Sequence, residues 1–116
     1  MTYIDAFVVP VPEGNKDAYQ EKAGQWSALF MEFGAVTVVE AWGDDLKRGQ
    51  VTDFYMAVKA EDGENVVLSC ITWPSKEVRD TAWGKIMSDE RMKPEGEMPF
   101  DGRRMFSGGF EALLER

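Results

Sequence analysis

The sequence predicts an α+β fold of the ferredoxin-like kind, βαββαβ: an antiparallel sheet with its helices on one face and a second copy of the chain on the other. Three observations predict it. Two amphipathic helical stretches alternate with four strand-like runs in the order of two interleaved β-α-β halves. The strand-like runs are apolar on both of their faces. The chain has 116 residues, room for a single domain spanning 1–116, and at that size association that buries more sheet is favoured.

Residues 2–11, TYIDAFVVPV, are rich in aromatic and β-branched residues and read as a first strand. Pro10 and Pro12 are expected to end it, because proline donates nothing to a ladder. Glu13-Gly14-Asn15 follows as a turn with Asn15 as N-cap. From Lys16 to Phe33, Tyr19, Ala23, Trp26, Phe30 and Phe33 recur at helical spacing, and Gly34 stands where a left-handed C-terminal residue belongs. Residues 35–43, AVTVVEAWG, form the second strand. In residues 44–65 the run Phe54–Val58 fits either a strand or an irregular crossing. Residues 66–73, VVLSCITW, are the third strand, and Ser75 caps a helix whose stripe is Val78, Ala82, Trp83, Ile86 and Met87. A short turn at 89–92 leads into a Pro/Gly-rich loop over 94–102. Residues 104–113 form a last strand broken by Gly108-Gly109.

A sheet with helices on one face and water on the other alternates apolar with polar residues. Here Ile4, Ala6 and Val8 oppose Tyr3, Phe7 and Val9; Val36, Val38 and Trp42 oppose Val39 and Ala41; Val66, Leu68 and Cys70 oppose Val67, Ile71 and Trp73. Helices cover one set. The other needs a cover of its own, and a homodimer supplies it, two-fold pairs being the commonest closed assembly. The alternative is that residues 44–65 fold back over the open face, although that insert is short for hiding a sheet.

Charge narrows the function classes. With 21 acidic and 13 basic residues the net charge is −8, and no basic surface is present for a nucleic-acid backbone or an anionic membrane. No run of about 18 apolar residues exists to span a bilayer. Cys70 is the only cysteine, so no disulfide forms within the chain, and Met1-Thr2-Tyr3-Ile4-Asp5 has neither a basic region nor a long apolar run. The expectation is a cytoplasmic protein.

Chemistry is limited first by what is missing. The chain has no histidine, which removes imidazole bases, Ser-His and Cys-His pairs and nearly all zinc sites. Dinucleotide and phosphate-loop fingerprints are absent too, so no cofactor and no metal is expected. Asp5 and Glu40 are carboxylates set mid-strand among apolar residues. Each is either a proton-transfer group with a pKa raised by burial, or the partner of an arginine such as Arg79 or Arg104, or part of the dimer seam. Asp44-Asp45 reads as a polar turn, with Asp53 as a further carboxylate that the spacing does not tie to it. Trp26, Trp42, Trp73 and Trp83 either line a pocket for a flat organic ligand or build the core. Cys70 reads as an inert core thiol.

Longer stretches carry a resemblance. They are Tyr3–Pro12 (YIDAFVVPVP), Glu40–Asp45 (EAWGDD) with Val51-Thr52-Asp53-Phe54, and Trp73-Pro74-Ser75-Lys76 with Val78-Arg79-Asp80. Asp89, Arg91-Met92, Met98–Met105 (MPFDGRRM) and Gly108-Gly109-Phe110 continue the pattern. Over nearly its whole length the chain resembles the YbaA-like family of small bacterial proteins. The resemblance implies a dimeric α+β barrel and no established activity.

Two functional expectations follow. The first is a dimeric binding or interaction domain, with a small organic ligand as one partner. The alternative is a small cofactor-free enzyme, monooxygenase- or isomerase-like, with a pocket between sheet and helices. In that reading Glu40 or Asp53 is the acid–base group, while Asp5, Trp42, Asp44 and Arg104 are binding residues.

Overall fold

The computed structural model describes residues 2–93 and 96–116. Its strands are β1 (Tyr3–Pro12), β2 (Thr37–Trp42), β3 (Glu64–Trp73) and β4 (Phe106–Glu111). The helices are α1 (Lys16–Glu32), the single turn α2 (Phe54–Ala57) and α3 (Lys76–Ser88). The sheet runs β2-β3-β1-β4 with every neighbouring pair antiparallel, as the ferredoxin-like reading requires.

Register decides which residues meet. Phe7 lies opposite Ser69 on one side and Ser107 on the other, and Ser69 lies opposite Glu40. Successive strand residues alternate faces, so Ser107, Phe7, Ser69 and Glu40 form one row across the helix-facing side. Two apolar clusters flank this row beneath α1 and α3. Phe30, Ala35, Ile71, Trp73, Ala82 and Ile86 make one, and Val9, Val11, Tyr19, Ala23 and Val67 the other; Phe7 packs against both.

Local signals explain the helix ends. Gly34 has φ +114, the left-handed region that lets the chain leave α1. Ser75 accepts from the Val78 N–H at 3.2 Å and caps α3. Asn15 stands before α1 but makes no side-chain cap; its Nδ2 donates to the Pro99 carbonyl at 3.1 Å instead.

Several expectations are corrected. Pro12 is the last residue of β1, as expected, but Pro10 does not end it, because β4 pairs with β1 only as far as Val8 and leaves that side of the strand without a partner to disappoint. Residues 54–57 are neither strand nor irregular crossing but a helical turn, capped by Asp53, whose carboxylate accepts from the Met56 N–H at 2.7 Å. Gly108-Gly109 does not break β4. Gly109 is there because a Cβ at that position would sit 2.5 Å from the Tyr3 hydroxyl. Val78 and Met87 leave the buried stripe of α3, Met87 with 76% of its surface exposed. Of the loop expected over 94–102, the first two residues lie outside the described part.

The face away from the helices is covered in part by the insert. Val58, 1% exposed, packs on Val8 and Val66 with Leu46, Tyr55 and Ala60 around it. Burying a valine fully stabilises by roughly 1.5–3 kcal/mol relative to leaving it in water, enough to hold the insert down. The rest of that face stays open: Val39 (54%), Leu68 (40%), Phe106 (46%) and Phe110 (57%) are exposed. Cys70 lies on this face half-buried rather than in the core, with its pKa raised by burial and then by the charge of Glu40.

Candidate functional site

Between the two clusters the layers do not close. A cavity of about 410 Å³ lies above the sheet row, with Phe7, Ser69 and Glu40 in its floor, Tyr19, Trp26 and Phe30 from α1, and Trp83 from α3. Met98, Phe100, Gly102 and Met105, beyond the short helical turn Glu90–Met92, close it. Phe100 packs on Tyr19 with ring centroids 5.7 Å apart and edge-on to Trp26 at 6.1 Å. The lining is aromatic and methionine-rich, a surface that fits flat apolar groups.

Glu40 is the one carboxylate among the described residues that line this cavity. Its two oxygens are held from two different elements: Tyr19 Oη donates to Oε1 at 2.7 Å and Ser69 Oγ to Oε2 at 2.6 Å. Burial, then the hydrogen bond and charge of Glu40, push the Tyr19 hydroxyl far above the usual phenol range, so Tyr19 remains a donor. A carboxylate offers about four acceptor positions, and these two bonds leave room for a ligand N–H or O–H. Glu40 is exposed on the edge strand rather than buried, so it is an oriented acceptor at the open side of an aromatic cavity, and it meets no arginine among the described residues.

Asp5 has the opposite fate. It is 3% exposed and takes four N–H donors. Trp73 Nε1 at 2.9 Å and Trp83 Nε1 at 2.8 Å reach Oδ2, while Arg79 forks onto it with Nη2 at 2.7 Å from Oδ1 and Nε at 3.0 Å from Oδ2. This is the arginine pairing expected as one option for Asp5, and it turns the Trp83 N–H away from the cavity that the ring lines.

The other candidates lie elsewhere. Asp53 is taken up by its cap and by the Gly49 N–H at 3.0 Å, bonds that hold its carboxyl below the usual range. Asp44 and Asp45 are exposed turn residues, Asp45 bonding Lys47 at 2.9 Å. Trp42 stands at the edge strand outside the cavity, with Lys16 Nζ 5.4 Å from its ring centre. Arg104 does not reach the cavity: it forks onto Glu64 at 2.6 and 2.8 Å and bonds Asp101 at 3.0 Å, which anchors the segment carrying Phe100 and Met105. Trp73 is wholly buried core, whereas Trp26 and Trp83 line the cavity. Among the described residues no group of three or more carboxylates or thiols converges to hold a metal.

Sequence reasoning missed Tyr19 and Ser69 as partners of Glu40. The signal for Ser69 was the lone hydroxyl among the inward positions Val67, Ser69, Ile71 and Trp73 of the strand VVLSCITW. Tyr19 was visible only as a member of the α1 stripe.

Solved structures share this architecture. A Bacillus cereus protein provisionally described as an antibiotic biosynthesis monooxygenase superposes with a TM-score of 0.57 at 15% identity, covering 99% of this chain and 96% of its own. SnoaB, a cofactor-independent oxygenase from Streptomyces nogalater, in a single-substitution variant, gives 0.50 at 12% identity, over 98% and 93%. At these identities the likeness is one of fold. Much nearer in sequence are the uncharacterized YbaA proteins of Escherichia coli K12 and of Shigella flexneri, each 59% identical over 116 residues and 99% of both chains. With residues 2–102 matching its profile as well, the chain belongs to DUF1428, a family described as proteins of unknown function.

Proposed function

We propose that the chain binds a small, flat, mainly apolar organic molecule in the cavity between sheet and helices, and that Glu40 accepts its one polar hydrogen. The observation that carries this reading is Glu40, the one carboxylate among the described lining residues, doubly oriented by Tyr19 and Ser69 in a cavity lined mainly by rings and thioethers. Where the bound O–H or C–H is acidic enough, Glu40 takes the proton, and the protein works as an enzyme whose chemistry is proton transfer. The oxygenase descriptions of the two structural neighbours fit such a use of the cavity.

Titration with 2-naphthol, followed by quenching of Trp26 and Trp83 fluorescence, tests it. Saturable binding is expected, weakened about tenfold by Glu40→Gln, since a hydrogen bond to a charged group contributes about 1.5–3 kcal/mol. No saturable binding, or equal binding by the variant, would count against the reading.

A second proposal concerns assembly. The exposed Val39, Leu68, Phe106 and Phe110 on one sheet face support a homodimer paired through that face, which we place in the cytoplasm with each chain a single domain over 1–116. Sedimentation is expected to give twice the chain mass, and Phe110→Lys to give one; a wild-type mass of one chain at micromolar concentration overturns this.

A further inference from the structure

A second space lies on the other side of the Tyr19–Glu40 hydrogen bond from the cavity. A groove of about 380 Å³ runs outside it between α1 and the edge strand β2, and Tyr19 and Glu40 line both spaces. Their linings differ in kind. The cavity is ringed by aromatic and methionine side chains, whereas the groove carries Lys16, Gln20 and Ser27 along one stripe of α1, facing Trp42 and Val38 of β2. Lys16 stands one helical turn before Tyr19, about 4.5 Å along the axis at 1.5 Å per residue. Its ammonium group rests on the Trp42 ring and makes no ion pair with any carboxylate among the described residues.

We infer that the ligand is an amphipathic aromatic acid, whose ring system fills the cavity and whose carboxylate projects past Glu40 into the α1–β2 groove to meet Lys16. This deepens the proposed function and rests on the cavity being a ligand site. Tyr19 and Ser69 each donate one bond to Glu40, which lessens its repulsion of the ligand's anion and leaves acceptor positions for the ligand's own O–H. The first turn of α1, where Lys16 lies, adds a favourable field for an anion. Lys16 leaves the face of Trp42 to make the contact, exchanging a cation–π interaction for an ion pair of similar size.

The test compares 3-hydroxy-2-naphthoate with its neutral primary amide, which has the same ring, hydroxyl and shape, with 2-naphthol alongside, all by calorimetry on the intact chain. The acid is expected to bind about fivefold more tightly than the amide, the scale of one half-exposed charge pair, and the gap should narrow with added salt. Lys16→Gln is expected to remove the gap, and Lys85→Gln on α3 to preserve it. Acid and amide binding alike in the wild type, or a gap that survives Lys16→Gln, overturns the inference while binding of 2-naphthol keeps the cavity reading. Failure of all three ligands to bind overturns both.

Discussion

Asp5→Ala is the substitution whose cost the structure sets most sharply. The carboxylate is 3% exposed and satisfies two indole N–H groups and the fork of Arg79. Removing it leaves the Trp73 N–H, on a side chain that is 0% exposed, with no route to water. An orphaned buried donor costs about 1–3 kcal/mol. Breaking a buried ion pair by deleting one partner costs about 3–5 kcal/mol. Here the guanidinium softens that figure, because its side chain is 24% exposed and it already bonds Asp80 at 2.9 Å. The expected total is about 3–5 kcal/mol, or a melting point lower by roughly 12–20 °C for a chain of this size. Urea unfolding read by tryptophan fluorescence measures it directly, Trp73 and Trp83 being themselves the reporters. Against an Arg79→Met background the same substitution should cost about 1–2 kcal/mol less, since the stranded charge is gone. A loss below about 1 kcal/mol for Asp5→Ala, at unchanged denaturant slope, would refute the claim that this carboxylate holds the two layers together.

Acid should weaken the protein. The Arg104 fork holds Glu64 below the usual carboxylate range, Arg104 does the same for Asp101, and Arg91 holds Asp89 down to about 2. Folded values below unfolded ones mean stability that is complete above the ordinary carboxylate range and lost as pH falls through the folded values, between about 4 and 2. Melting temperatures followed from pH 7 to pH 2 should fall in that window, with Glu64→Gln lower at pH 7 and flatter in acid; a wild-type curve level down to pH 2 would contradict this. Gly109→Ala should destabilise by about 1–3 kcal/mol in chemical denaturation, because its Cβ would lie 2.5 Å from the Tyr3 hydroxyl. Tyr3→Leu in the same chain should recover part of the loss, and no recovery would place the cost elsewhere.

The features legible in the sequence were those carried by periodicity and by caps that act locally. The α1 stripe from Tyr19 to Phe30, Gly34 at its end and Ser75 before α3 are all decided within a few residues of chain, and they stand as read. What misled was decided by neighbours distant in sequence. Whether a proline ends a strand depends on whether another strand lies beside it, and β4 stops short of Pro10. Met87 keeps helical spacing with Trp83, yet it faces Ser107 and Gly108, which are too small to cover it. The run Phe54–Val58 is apolar enough for strand or helix, and Asp53, weighed as a site carboxylate, decides for helix by capping it. The candidate site followed the same rule. Glu40 stood out as a carboxylate in an apolar strand, but its partners Tyr19 and Ser69 come from α1 and β3, and only the β2–β3 register brings Ser69 beside it.

The cavity divides the interior beneath the helices into two clusters that share Phe7. Whatever fills it joins them into one continuous packed body, so occupancy and folding become linked equilibria. A ligand at a hundred times its dissociation constant would add about 2.7 kcal/mol to the unfolding free energy, whatever reaction it undergoes. Thermal stability thus becomes an assay that presupposes no chemistry. A compound library could be ranked by how much further each member raises the melting point of the wild type than that of Glu40→Gln, and the natural ligand sought among those with the largest difference.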